Sequence, residues 1–211
     1  MFREILTHEQ QTVLELLSRI AEIQTFYLAG GTGLALHLGH RRSRDFDFFR
    51  PKEFRPQDLL NHVREAGEIE LLQEANGTLT ILLRGVPTSF FHYRYPLLRP
   101  LHDTPWGIGL AHRADIAAMK LAALSGRGSR KDFVDLYFCC REGMSLENIL
   151  ELFREKYHGL AVDSYHLIRS LTFFDDAEAE VMPEMLREAT WEQMKTFFQT
   201  EAVRLFGLSG R

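Results

Sequence analysis

The chain reads as an α/β (α+β) protein, a mixed sheet flanked by helices with a helical C-terminal extension. Between residues 26 and 93 lie short apolar or alternating runs, punctuated by Gly30-Gly31, Asn76-Gly77 and Arg84-Gly85, pairs suited to sharp turns. Stretches with apolar residues at helical spacing precede, separate and follow those runs, which predicts helices around a sheet. Beyond Arg141, residues such as Phe153, Leu167, Leu171, Phe174, Trp191, Met194 and Phe198 give strongly apolar helix faces. The expected division is a sheet-bearing domain over 1–140 and a helical layer over 141–211 packed on it.

Residues 8–24 carry apolar positions 13, 16, 17, 20 and 23, with Thr7 as the helix cap. That helix leads into a strand at 26–29, which breaks at Gly30-Gly31. Thr32 then caps a helix whose Leu34, Ala35, Leu36 and Leu38 pack inward, and Gly39 is placed to end it. Residues 45–49 alternate as a strand. Pro51 closes it, Pro56 opens a helix to about Ala66, and Gly67 stops that helix. Strands are expected around 69–74, 78–83 and 86–93, then a loop over 97–108 in which Trp106 plugs the core. Helices follow over 112–125, from Arg130, from Ser145 to about Tyr157, near 160–173 and near 190–206. The acidic segment 175–180 and Pro183 separate the last two.

With 211 residues the chain is long enough for one sizeable core. Its 45% hydrophobic and 26% charged content is that of an ordinary soluble globular protein. A net charge of −4 excludes a global basic field, so any nucleic-acid contact requires a local patch. Cys139 and Cys140 are adjacent on an apolar helix and lack zinc-site spacing; they read as unpaired packing residues in a reducing compartment. Met1-Phe2-Arg3-Glu4 leads into no signal segment, and no run approaches membrane-spanning length. A cytoplasmic location without a membrane partner is expected.

Chemistry concentrates between residues 26 and 50. A glycine turn at Gly30 and Gly31 lets backbone approach a ligand closely, and the N–H groups at the start of the following helix face an anion. After the basic run His40-Arg41-Arg42-Ser43-Arg44, strand alternation sends Asp45 and Asp47 to one side, about 7 Å apart along the strand. Two such carboxylates can share or bracket a hard divalent cation, Mg2+ or Mn2+, that neutralises phosphates during transfer. Either feature alone is ordinary, since a glycine pair is most often a turn and an Asp-x-Asp strand most often a solvated face. An acidic pair among aromatic residues beside a basic run, however, is costly near a core without a compensating cation.

Gly30-Gly31-Thr32 with His40-Arg41, Ser43, Asp45 and Asp47 resembles the AbiEii/AbiGii-type toxin nucleotidyltransferases, within the DNA polymerase β-like nucleotidyltransferase superfamily. Residues 115–122 resemble that family's third motif and the segment from Arg127 through Lys131, Asp132 and Asp135 its fourth, so the likeness covers roughly 26–140. It implies a metal-dependent nucleotidyltransferase that moves a nucleoside monophosphate from a nucleoside triphosphate to an RNA (tRNA among them) or protein acceptor, often as the toxin of a pair with an antitoxin protein.

Asp45 and Asp47 would hold Mg2+ or Mn2+, while Gly30, Gly31, Thr32, Arg41 and Ser43 bind the nucleotide. Lys120 emerges beside an apolar stripe and suits a phosphate as a mobile point charge. Arg127, Arg130 and Lys131 form a cationic patch for the triphosphate or an RNA acceptor. Asp132 is expected to fix Lys120 or Arg41 by a salt bridge, and Asp135 to act as a base on the acceptor hydroxyl. Asp115 reads as a first-turn acid complementing its helix dipole. In the superfamily a third carboxylate sits on a neighbouring strand, and Ser89 occupies that place here. The alternative is therefore a catalytically weak or inactive nucleotide-binding module. The run His92-Tyr93-Arg94-Tyr95 reads either as a strand end or as a base-stacking surface.

Overall fold

The computed structural model describes residues 1–209; residues 210 and 211, the end of the expected C-terminal layer, lie outside the described residues. α1 (His8–Leu17) starts from a capping box: Thr7 Oγ1 accepts from the Gln10 amide at 3.2 Å, and Gln10 Oε1 accepts from the Thr7 amide at 3.0 Å. The helix stops at Leu17, short of the expected 24. Gln24 Nε2 donates to the freed Ser18 carbonyl at 2.8 Å, and the chain runs on through a 3-10 turn, Ala21–Thr25.

Six strands form one sheet in the order β3-β4-β5-β2-β1-β6: β1 (Tyr27–Leu28), β2 (Phe46–Arg50), β3 (Ile69–Ala75), β4 (Thr78–Leu83), β5 (Val86–His92) and β6 (Gly109–Leu110). β2 runs parallel to β5 and antiparallel to β1, which makes the sheet mixed. Between β2 and β5 the chain passes through α3 (Pro56–Val63), with Pro56 at its first turn. β1 is shorter than expected, and the two-residue β6 lies just beyond the expected loop, pairing in parallel with β1. No periodicity can announce a strand of two residues.

α2 (Gly30–Leu38) corrects a second expectation. It begins at Gly30 with Ala29 as its cap, so Thr32 lies inside the helix. The Thr32 hydroxyl donates instead to the Asp45 carbonyl, tying the helix to the approach to β2. Gly39, at φ +60°, ends the helix as expected.

Alternation along β2 divides the two sides of the sheet. Phe46 and Phe48 are buried among Leu14, Leu17, Leu59, Val63 and Phe90, with Phe48 stacked on Phe90 at 5.2 Å. Asp47 and Phe49 project to the opposite side, where α4 (Arg113–Arg127) and α5 (Arg130–Arg141) pack. On that side α6 (Leu146–Lys156), α7 (Ser164–Ser170), α8 (Asp175–Glu178) and α9 (Trp191–Ser209) share one core with α4 and α5. Phe133 of α5 meets Phe174, Trp191 and Phe198 at ring distances of 5.0, 5.6 and 5.4 Å. α8 falls in the acidic segment expected to be a connection.

Asp115 is more than a dipole partner. Its fully buried carboxylate accepts from the amides of Leu98 and Arg99 and from Lys156 Nζ at 2.7 Å, which joins α4 to α6 and to the chain after β5. Tyr93 and Tyr95 pack on Tyr157 of the same region, the strand-end reading of that run. Among the described residues no helix is long and apolar enough to cross a membrane, and both cysteines are free.

Candidate active site

The start of α2 and the approach to β2 touch at glycine. Gly30 has φ +62°, and a Cβ placed on it would sit 2.1 Å from Asp47 Oδ2. Only glycine therefore satisfies both the backbone and the space. A Cβ on Gly31 would lie 2.6 Å from an Arg41 guanidinium nitrogen and 3.0 Å from Ser43 Oγ. The first N–H groups of α2, which have no partner within the helix, thus begin beside Asp47, Arg41 and Ser43. Ser43 Oγ donates to Asp45 Oδ1 at 3.0 Å, and Gln10 Nε2 of α1 holds the Ser43 carbonyl at 2.9 Å.

These groups open onto a cavity of about 480 Å³. Of the residues expected at a site, Gly31, Arg41, Ser43, Asp45, Asp47, Lys120, Arg127 and Lys131 line it. Asp45 and Asp47 stand on its wall without a cation in ion-pair range among the described residues. Burial, reinforced by the Asp45 charge, pushes the Asp47 carboxyl up to about 6. Such a pair, half-desolvated and facing open space, is a hard-oxygen donor set for a divalent cation. Among the described residues no group of three or more His, Cys, Asp or Glu side chains is arranged to hold a metal, so a cation would complete its shell from phosphates and water.

Behind the wall lies a buried ionic network. Asp135 Oδ1 accepts from His40 Nε2 at 2.8 Å and Arg41 Nε at 2.7 Å, and Oδ2 from Lys120 Nζ at 2.6 Å and a terminal Arg41 nitrogen at 2.9 Å. Asp132 accepts from Lys120 at 2.9 Å, from Arg127 and from Ser129. The expected partner of Asp132 is thus present in Lys120. Burial opposes the Asp135 charge, but Arg41 and Lys120 outweigh it and hold the carboxyl well below its usual range. A carboxylate so acidic, fully buried and with both oxygens engaged is unsuited to take a proton from an acceptor, which argues against the base role expected of Asp135. Burial would lower the Lys120 ammonium, yet Asp135 and Asp132 hold it above its usual value. Two of its three N–H groups are engaged, and the third remains for the cavity it lines.

Other expected residues stand elsewhere. Arg130 turns away: its guanidinium donates to the Ala177 carbonyl at 2.8 Å and lies over Trp191, binding α5 to the C-terminal layer instead of facing phosphate. Ser89 is the register neighbour of Asp47 across β2 and β5, with its hydroxyl bonded to Thr80 at 3.2 Å.

Several contributors went unread in the sequence. Gln10 had only its capping-box pattern, His40 stood in the matched run His40-Arg41 with no role of its own, and the strap of Val181, Met182, Pro183 and Glu184 lies some 140 residues from the loop it covers. That strap pairs with the loop through Arg42 N to Glu184 O at 2.9 Å and Leu186 N to His40 O at 2.9 Å.

Known proteins resemble this chain in sequence and in fold. The pattern of a family described as "Nucleotidyl transferase AbiEii toxin, Type IV TA system" matches residues 12–105 and 81–204. An uncharacterized protein of Aquifex aeolicus (strain VF5) is 39% identical over 198 residues, covering 92% of this chain and 94% of its own. The fold is similar to that of MenT4, a nucleotidyltransferase toxin from Mycobacterium tuberculosis H37Rv, with a TM-score of 0.62 at 19% identity over 92% of this chain and 80% of that one. A nucleotidyltransferase candidate from H. pylori superposes with a TM-score of 0.55 at 18% identity over 99% of both chains.

Proposed function

We propose, from the premise that this chain belongs to the AbiEii nucleotidyl transferase toxin family and is a nucleotidyltransferase, that it transfers a nucleoside monophosphate from a triphosphate to a macromolecular hydroxyl at the cavity of Asp45 and Asp47. The observation that carries the reading is the pairing of two carboxylates lacking a cation with a cationic wall: Lys120, Arg127 and Lys131 face the same space as Asp45 and Asp47. Asp45 and Asp47 would hold a divalent cation, Mg2+ or Mn2+, which supplies Lewis-acid neutralisation of phosphate charge. The free N–H groups at the start of α2, with Arg127 and Lys131, bind the triphosphate. The oxygen of an acceptor hydroxyl forms a bond to the α-phosphorus and gives up its proton to solvent, the bond from that phosphorus to the bridging oxygen breaks, and pyrophosphate leaves with the electron pair. Lys120 offsets the growing negative charge. Asp132 and Asp135 are positioning residues: they fix Lys120 and Arg41 so that no rearrangement is needed as charge develops. In the cell such an enzyme would act in the cytoplasm as a toxin restrained by an antitoxin protein.

A second reading is favoured by Ser89 alone. A hydroxyl beside Asp47 is a poor magnesium ligand, and a site of two carboxylates could bind nucleotide without turning it over. Pyrophosphate release separates the two readings when each of the four triphosphates is supplied with Mg2+ and total cellular RNA or lysate. Release that disappears in Asp47→Asn supports transfer. A triphosphate-dependent rise in melting temperature without release supports the binding module.

A further inference from the structure

Three histidines distant in sequence stand ring against ring where α2 ends and α4 begins. His102 stacks on His112 with centroids 5.0 Å and planes 15° apart, and His37 meets His102 edge-on at 5.0 Å. The surrounding backbone holds them there. His102 pairs with Leu110 through bonds of 2.8 and 2.9 Å, the Ala111 amide donates to the Leu28 carbonyl of β1 at 2.9 Å, and His37 Nε2 donates to the Ala111 carbonyl at 2.8 Å. None of the three lines the cavity of Asp45 and Asp47.

His112 is the cap of α4. Its backbone is extended, at φ −63° and ψ 146°, and its Nδ1 accepts from the Ala114 amide at 3.1 Å. Ser, Thr, Asn or Asp usually supplies that acceptor, and none of them loses it near neutral pH. Imidazole does. A proton on Nδ1 turns the acceptor into a donor that faces another donor, and it places positive charge at the positive end of the helix dipole. Arg113 and Arg99 face His112 with like charge, His102 joins them when protonated, and the N-terminal ammonium faces His37. The acid nearby, Asp115, is already paired with Lys156 at 2.7 Å. Burial holds the His112 imidazole below its ordinary value and pushes His37 down to about 4, so the fold keeps both rings neutral.

We infer that His37, His102 and His112 form an acid-operated latch on α4: neutral rings cap the helix and clamp it to the end of α2, and protons on them open its first turn. The latch acts at a distance from the transfer cavity. Asp115, in the turn that opens, holds the amides of Leu98 and Arg99, and Lys120 stands further along the same helix. A base whose folded value lies below its unfolded one costs nothing above the unfolded value, near 6.5 for histidine. Its penalty grows as pH falls below that value and levels off below the folded one. Asp47 acts in the opposite sense and buried His40 in the same sense, and both cancel when the parent is compared with variants that retain them.

The test is thermal melting of the full chain in chelator between about pH 7.5 and about pH 5, a range that spans the ordinary histidine value, in the parent, His112→Asn and His37→Gln. Asparagine caps a helix at every pH in that range, and glutamine still donates to the Ala111 carbonyl, so both variants keep the fold. Over that range the parent should lose about 2–4 °C more in melting temperature than either variant, the shift that one cap is worth in a chain of this size. Hydrogen exchange read by NMR gives the local counterpart at the amides of Ala114 and Ile116, which bond His112 itself. Corrected for the intrinsic dependence on pH, their protection should fall several-fold in acid in the parent and hold in His112→Asn. A melting profile parallel to the parent's in either variant would overturn the latch. So would exchange at these two amides that ignores pH in the parent, or that speeds up equally in His112→Asn.

Discussion

Asp47 ties sequence to chemistry most tightly, because its carboxyl is costly to the cation-free fold. A folded-state value raised to about 6 means that its contribution to stability is fully present below the unfolded value near 4 and is lost as pH rises through 6. Without divalent cation, Asp47→Asn should therefore be more stable than the parent at pH 8 by on the order of 2–3 kcal/mol and nearly equal to it at pH 4. Urea denaturation in chelator at the two pH values measures this. Added Mg2+ with triphosphate should stabilise the parent increasingly between pH 5 and 8 and leave the variant unmoved. Equal pH profiles for parent and variant would show that Asp47 is not the desolvated charge described. The residue was legible in the sequence as half of an Asp-x-Asp pair on one strand face. Its lack of a cation partner was not, because pairing depends on residues such as Lys120 and Asp135, far along the chain.

Among the elements, α2 and α5 set the geometry. Gly30 starts α2 in the left-handed region with Asp47 Oδ2 only 2.1 Å from where a methyl would lie. Gly30→Ala should cost about 1–2 kcal/mol from backbone alone and displace Asp47 besides. Transfer should then fall by more than the loss of folded protein explains, which circular-dichroism melts and initial rates on one preparation would reveal. Activity in proportion to folded protein would remove Gly30 from the site.

The glycine turn, Gly39 as the helix end and the three strands from 69 to 93 could be read because each depends on local backbone preference. The helix start could not be placed as easily. Thr32 is an apt cap by residue type, but its hydroxyl found the Asp45 carbonyl, a tertiary partner that outweighs the local rule. Arg130 illustrates the same limit. A cation in a basic cluster reads from sequence as a phosphate ligand, whereas α8 and Trp191 pack where its side chain points.

Over the whole molecule, the C-terminal layer and the sheet-bearing part close around one buried network. His40, Arg41 and Lys120 converge on Asp135, while the strap at 181–187 pairs with the loop that carries His40 and Arg42. Asp135→Ala leaves Arg41 and Lys120 buried without that counter-charge and should destabilise the chain by about 3–5 kcal/mol, read as a lowered urea midpoint. A near-neutral effect would mean that the network relaxes to solvent. The fold class and the apolar character of the last helices were evident from periodicity. Their packing on the preceding part was expected, but which side chains meet, Phe133 against Phe174, Trp191 and Phe198, was beyond reach because long-range packing leaves no local periodic trace.

The most direct test of the central claim is transfer of α-³²P label from each nucleoside triphosphate to total cellular RNA or lysate. Parent protein and the Asp45→Ala/Asp47→Ala double variant would be compared in Mg2+ at matched folded concentration. Label appearing on a macromolecule with the parent and absent with the variant is the predicted result, and it would identify the acceptor class in the same lane. Label transferred equally by the variant would contradict the assignment of Asp45 and Asp47 as the cation-holding pair.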